Sequence, residues 1–300
     1  MTIKISPSKV VANVSAFKHL VVTADDFGLA AEVNAAVEAG HRSGVLSAAS
    51  LMVSAPAAAD AIARALEMPG LRVGLHLVLV DGRPTLPPHR IPDLVDANGE
   101  LRRDMGRLAT ELACRSYVRD QLRAEITAQF AAFERTGLTL DHVNLHKHFH
   151  LHPFVAREVI AVGQRFGMRT IRVPIEPRSQ LAGSKMGGNP VSGEFLRPWA
   201  ALLARRARRA GLIMPDAVFG LAWSGKWTAQ RLSALIRNLP PGMVEIYLHP
   251  ALSDDFAGHA PLYHYKDEYE ALTAPEVAQA VRDSGFQLGG YSEMLMHALS

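Results

Sequence analysis

His146-Lys-His148-Phe-His150-Leu-His152 sets four histidines at alternate positions, directly after the apolar segment Asp141 to Leu145. On a strand, or at its end, side chains two apart project to the same side. Neutral imidazole is a common ligand for transition metals. Two more groups stand at comparable points: Asp25-Asp26 ends the apolar run that begins at His19, and His76 lies inside Val73-Gly-Leu-His-Leu-Val78. One carboxylate and two imidazoles make a three-ligand site with positions left for water and substrate, as in catalytic zinc centres. A metal so held acidifies water and polarises a carbonyl. An adjacent unligated carboxylate can take the water's proton, and a histidine across the site can protonate a leaving amine. These parts suit hydrolysis of an amide. Each residue has a plainer reading when taken alone. The aspartates before Gly28 would serve as helix caps, and His76 as a hydrogen-bonded core histidine. His249 would end a strand before Pro250, and Arg172 would pair with Glu176. Their joint placement is what argues for chemistry.

The elements that must position these residues alternate along the chain. Apolar, β-branched runs predict strands over His19 to Ala24, Ala48 to Val53, Arg72 to Leu79 and Asp141 to Leu145. Further strands are predicted over Thr170 to Val173, Ala217 to Leu221, Val244 to Leu248 and Gln287 to Gly290. Helical patterns lie near Ala31 to Ser43, Pro56 to Glu67, Arg119 to Arg135, Pro153 to Phe166, Pro198 to Ala210, Thr228 to Arg237 and Pro275 to Ser284. Strand–helix alternation implies right-handed crossovers and a parallel sheet clad in helices. Its seven or eight units point to a closed barrel, and no Gly-x-Gly-x-x-Gly follows the first strand, which disfavours a dinucleotide fold. Asp25-Asp26, His76, His146, Arg172 and His249 then converge on one rim. Three turn-rich segments, Val80 to Leu101, Pro174 to Arg197 and Pro250 to Tyr269, follow strands and so lie on that same C-terminal face. In parallel α/β folds this face carries the active site, and these loops are the candidates for substrate recognition.

The chain has 300 residues, 48% of them hydrophobic, with no repeat or linker, and a single domain over residues 1–300 is expected. No apolar run approaches the roughly 18–20 residues of a membrane span. Met1 to His19 has lysines but no apolar stretch or cleavage site, which speaks against a secretory signal. Cys114 is the only cysteine, which fits a reducing, cytoplasmic setting; within the helix-like stretch Leu108 to Val118 it is expected to be a small buried residue. The net charge of +3 and the absence of a basic aromatic stripe give no support to nucleic-acid binding. Arg205, Arg206, Arg208 and Arg209 stand beside Trp199, Leu202, Leu203 and Leu212. That pattern fits an ordinary packing helix, or a helix that lies on an anionic membrane surface.

Four segments also resemble a known family. Thr23-Ala-Asp-Asp-Phe-Gly-Leu29, Val73-Gly-Leu-His-Leu77, His142-Val-Asn-Leu-His-Lys-His-Phe-His150 and Glu245-Ile-Tyr-Leu-His-Pro250 resemble, in order and spacing, the signature segments of the YdjC-like carbohydrate deacetylases. The likeness runs over about residues 18 to 295. It implies a distorted (β/α) barrel of about seven strands, related to the polysaccharide deacetylases, and one divalent metal ion, with zinc or magnesium the leading choices. By motif position it implies Asp26, His76 and His146 as metal ligands, Asp25 as general base and His249 as general acid. Arg172 would orient Asp25 or a sugar hydroxyl. His150 is a reserve ligand or a substrate contact, and His148 and Glu245 are further candidate substrate contacts. Asn144 and Lys147 depart from the family pattern, which often has aspartate and histidine there. Leu79-Val-Asp-Gly-Arg-Pro84, Phe149-His-Leu-His-Pro153 and Leu196-Arg-Pro-Trp199 look most like the subgroup associated with hopanoid biosynthesis. This implies deacetylation of an N-acetylglucosaminyl hopanoid, with peripheral membrane contact through Arg197 to Leu212. A chitooligosaccharide deacetylase and a non-catalytic metal-containing lipid- or sugar-binding protein are the alternatives.

Overall fold

A computed structural model describes residues 17–183 and 191–299. The chain runs β1 (Lys18–Phe27), α1 (Ala31–Ser43), β2 (Ala48–Leu51), α2 (Ala58–Leu66), β3 (Arg72–Leu77), α3 (Met105–Cys114), α4 (Ser116–Glu134) and β4 (Val143–Leu145). It continues α5 (Pro153–Arg165), α6 (Arg178–Gly183), α7 (Val191–Arg209), β5 (Ala217–Phe219), α8 (Ala229–Ile236) and β6 (Gly242–Leu248). The last elements are α9 (Tyr265–Thr273), α10 (Pro275–Ser284), β7 (Gln287–Leu288) and α11 (Tyr291–Leu299).

The strands pair in parallel in the order β4-β3-β2-β1-β6-β5. β6 covers one edge of β1 from Lys18 to Ala24. The other edge is shared, with β7 against His19 and Leu20 and β2 against Thr23 onward. The sheet curls until segment 170–175 spans its two ends: Val143 bridges Ile171, Thr170 bridges Ile213, and Val218 N donates to Ile175 O at 2.8 Å. The expected strand over Thr170 to Val173 therefore occupies its barrel position without becoming a regular strand. Its backbone divides its bonds between neighbours, Ile171 N to Ile213 O and Arg172 N to Val143 O, both 3.0 Å. Pro174, lacking an N–H, ends it.

Alternation along β1 sorts the core. Leu20, Val22 and Ala24 enter the large cluster between sheet and helices, while Val21 joins Ala48, Tyr291 and Met294 in a small apolar plug inside the curl. Thr23, Ser50, Asn144, Arg172 and Glu245 form a buried polar belt above that plug. Four of the eight predicted strands, those beginning at Ala48, Arg72, Ala217 and Gln287, end earlier than expected, while β1 runs on to Phe27.

Several boundaries move. α7 starts at Val191, so part of the expected loop Pro174 to Arg197 is helical and Pro198 sits inside the helix. α9 takes the last residues of the segment expected as the Pro250 to Tyr269 loop, and α11 has no counterpart in the predicted elements. Cys114 is exposed, not buried, because the extended backbone of Arg115 (φ −122°) breaks α3 from α4 just behind it. Among the described residues no helix is long and apolar enough to cross a membrane. The apolar stripe of α7, Ala200, Leu203, Ala204 and Ala207, is buried against the molecule, as in an ordinary packing helix.

Candidate active site

Consecutive side chains on a strand diverge, yet Asp25 and Asp26 both serve one rim. The ladder between β1 and β2 slips between Ala24 and Phe27, and Asp26 takes a left-handed backbone (φ 62°), which aspartate tolerates better than most residues. Its carboxylate thereby turns to two imidazoles. Asp26 Oδ1 lies 3.2 Å from His76 Nε2 and 3.2 Å from His146 Nδ1. The possible ligand atoms of Asp26, His76 and His146 all lie within 4.8 Å of one another. Burial opposes ionisation of Asp26, but His146 and His76 outweigh it and hold the carboxyl well below its ordinary range.

His76 shows whether these donors fit a metal. Its Nε2 is buried and has no aligned hydrogen bond, although it faces the Asp26 carboxylate. One carboxylate oxygen and two imidazoles around such an orphaned nitrogen are a donor set that suits zinc by ligand type and admits other divalent ions. The residues present therefore fit a divalent ion.

Asp25 stands outside that group. Arg172 grips it with both terminal nitrogens, Nη1 to Oδ2 at 2.5 Å and Nη2 to Oδ1 at 3.0 Å, and Asn144 Nδ2 donates to Oδ1 at 3.0 Å. Burial again disfavours the charge, and Arg172, followed by His76, more than offsets it, leaving Asp25 ionised far below its usual pKa. Arg172 is fully buried. It also donates to Glu245 through Nε (2.9 Å) and Nη2 (2.7 Å), and lies 4.4 Å from the centre of the Tyr247 ring. The partner of Arg172 is thus not Glu176, which instead accepts from the N–H groups of Gly220 and Ala222.

The alternate histidines do not share one face. β4 ends at Leu145, and His146–Leu151 is a 3-10 stretch in which Lys147 (φ 53°) and His148 (φ 52°) are left-handed. Only His146 reaches Asp26. Lys147 turns outward to an ion pair with Asp81. His148 Nε2 lies 3.0 Å from the Tyr247 hydroxyl, and burial, then His150, depresses its pKa. His150 Nε2 donates to Arg172 O at 2.9 Å, and burial lowers its pKa to about 4. That bond places His150 behind Arg172 and outside the Asp26–His76–His146 group. Glu245 is fully buried and accepts from Arg172, from Thr23 Oγ1 at 2.7 Å and from Tyr291 Oη at 2.5 Å.

His249 follows β6. Its N–H donates to Glu268 Oε2 at 2.5 Å, and its ring packs edgewise on Tyr247 and Tyr263. Its Nδ1 is buried without an aligned hydrogen bond. Burial lowers the pKa of this ring, against the pull of Asp26 and Asp25 in the other direction. Sequence reasoning missed Ser50, Tyr247, Tyr263 and Glu268, and gave Asn144 no role, because their partners come from distant strands and loops.

The chain is similar to known proteins over most of its length. The curated carbohydrate deacetylase of Brevibacillus brevis is 28% identical over 278 residues, covering 92% of this chain and 99% of that protein. The chitooligosaccharide deacetylase of Serratia marcescens is 30% identical over 283 residues, covering 92% and 99%. A crystal structure from Enterococcus faecalis V583, described as a cellobiose-phosphate cleavage protein, shares the fold with a TM-score of 0.70 at 20% identity, covering 93% of this chain and 99% of that one. Residues 19–283 match the profile described as YdjC-like protein, and the chain belongs to that family.

Proposed function

We propose that this protein is a carbohydrate deacetylase that removes the acetyl group from an N-acetylated amino sugar by metal-assisted hydrolysis. One observation carries the reading: Asp26, His76 and His146 gather as a ligand set, while the neighbouring Asp25 is kept out of it, ionised and oriented. A purely structural metal site has no use for such a second carboxylate, which weighs against a non-catalytic binding protein. The names of the Brevibacillus and Serratia relatives support the same reaction class.

A divalent ion, zinc or magnesium, would be held by Asp26, His76 and His146 and would supply Lewis acidity toward the acetyl carbonyl and toward water. Asp25 accepts the proton of the attacking water. Arg172 fixes the direction of that carboxylate with two hydrogen bonds and keeps it from collapsing onto the ligand group. His249, the candidate acid, gives a proton to the departing amine from a wall formed with Tyr247 and Tyr263. His148, beside the Tyr247 hydroxyl, is a candidate for a substrate contact.

Two substrates compete. A soluble chitooligosaccharide is favoured by the Serratia relative. An N-acetylglucosaminyl hopanoid is favoured by the subgroup-like motifs and by Trp199, which is 47% exposed on α7, a helix that also exposes Arg205, Arg208 and Arg209. Acetate release from diacetylchitobiose and from the glycolipid, each with metal-loaded and chelated protein, decides between them. Release from neither, by metal-loaded protein, would overturn the deacetylase reading.

A further inference from the structure

Beneath the ligand group runs a line of buried polar side chains that the reaction itself does not call for. Asp141 and His142 lead into β4, Ser50 lies on β2 and Asn144 on β4, and all four are buried. Space for the His142 ring exists because β3 carries Gly74 there; a Cβ at that position would lie 2.5 Å from ring atoms. Donor and acceptor roles along the line follow from its lower end. Asp141 caps α11, accepting from Tyr291 N at 3.0 Å and Ser292 N at 2.8 Å. The same carboxylate accepts from His142 Nδ1 at 2.9 Å. In the neutral ring His142 Nε2 is then an acceptor and receives the hydrogen bond of the Ser50 hydroxyl at 2.9 Å. Ser50 Oγ in turn accepts from Asn144 Nδ2 at 2.8 Å, and the second hydrogen of that amide goes to Asp25 Oδ1 at 3.0 Å. Asn144 Oδ1 is left facing His76 Nδ1 at 2.7 Å, and a carbonyl oxygen only accepts.

We infer that Asp141, His142, Ser50 and Asn144 are positioning residues that set the tautomer of His76, with the proton on Nδ1 and the Nε2 lone pair turned toward Asp26. The purpose of this device rests on the reading of His76 as a metal ligand; its hydrogen-bond logic does not. An outer partner that fixes a ligating imidazole is common in metal sites. Here that partner is itself locked by three residues that never touch the ligand. Asn144 suits the task because one amide both accepts from His76 and donates to Asp25, which a carboxylate at this position would repel.

The test is nitrogen NMR of the His76 ring in metal-free protein, at a pH high enough for a neutral ring, together with titration by zinc alone. Wild type is expected to show the Nδ1-protonated tautomer. Ser50→Ala, which removes one oxygen from the core, is expected to give a tautomer mixture and to weaken zinc binding several-fold. Asn144→Leu is expected to weaken it about 10–100-fold, the usual effect of losing an outer partner. The double variant should bind no more weakly than Asn144→Leu, because Ser50 acts through Asn144. Asn144→Asp keeps an acceptor toward His76 and should restore the tautomer. An Nε2-protonated ring in wild type, wild-type behaviour of Ser50→Ala, or additive losses in the double variant would each overturn the inference. Wild type that binds no zinc would count against the deacetylase reading instead, since the tautomer is read without metal.

Discussion

The residue at the centre of the site is Asp25, and what defines it is the company of Arg172. Both are buried, and the guanidinium is shared with Glu245, so two carboxylates depend on one cation. Removing the shared cation leaves both charges uncompensated, and breaking a buried pair of this kind costs about 3–5 kcal/mol. Arg172→Met is therefore expected to destabilise the protein by about that amount in urea unfolding, and Asp25→Asn by clearly less, since Arg172 keeps Glu245. Asp25 and Asp26 both sit below their ordinary pKa of 3.8, Asp25 mainly through Arg172 once burial is overcome and Asp26 through His146. A depressed carboxylate stabilises the fold above its unfolded pKa and loses that contribution as pH falls through its lower folded value. Unfolding of chelated protein at a series of pH values should show stability falling below about pH 3.8, with a shallower fall in Asp25→Asn. Asp25, Asp26, His76 and His249 were legible in the sequence because each ends or interrupts an apolar run. Asn144 was not, since its bond to Asp25 spans 119 positions. The even spacing of the histidines was misleading: two left-handed residues, Lys147 and His148, turn the presumed strand into a tight coil.

At the scale of elements, buried carboxylates tie down the loops that frame the site. Glu176 accepts from Gly220 and Ala222 after β5, while Glu268 on α9 accepts from Trp227 N at 3.1 Å and from His249 N. Burial pushes Glu268 up to about 8, against the downward pull of these N–H groups. A raised carboxyl stabilises the fold below its ordinary value of 4.5 and loses that contribution as pH rises through about 8. Wild-type stability should decline over that interval, and Glu268→Gln should flatten the decline; an unchanged slope would remove Glu268 as its source. Gly220 is held at φ 148°, and a Cβ there would meet the Tyr247 ring at 2.5 Å. Gly220→Ala is expected to cost about 1–3 kcal/mol, in the range of overpacked sites, and to lower turnover by displacing Tyr247, as thermal unfolding and kinetics would show. The strand–helix alternation itself was readable from periodicity. The early start of α7 was not, because Pro198 reads as a helix opening and the residues before it are rich in glycine. The strand expected at 170–173 forms only in part, because its pairing is split between two neighbours, which apolar character does not reveal.

The whole molecule is a curled parallel sheet whose inner face changes character from end to end. An apolar plug from Val21, Ala48, Tyr291 and Met294 closes the bottom, the Arg172 belt fills the middle, and the acids and imidazoles stand at the open rim. Outside it, α7 turns its small apolar stripe inward and Arg205, Arg208 and Arg209 outward. If the substrate is a membrane glycolipid, neutral substitutions at Arg205, Arg208 and Arg209 should reduce turnover on vesicle-borne substrate and leave diacetylchitobiose untouched; equal effects on both would discard the membrane role. The central claim, that Asp25 does chemistry while Asp26, His76 and His146 hold the ion, is tested most directly by measuring bound metal and acetate release side by side in Asp25→Asn. The expected result is wild-type metal content with turnover lower by about 10²–10⁴, the usual contribution of a general base. Full turnover in Asp25→Asn, or loss of the metal together with the activity, would contradict it.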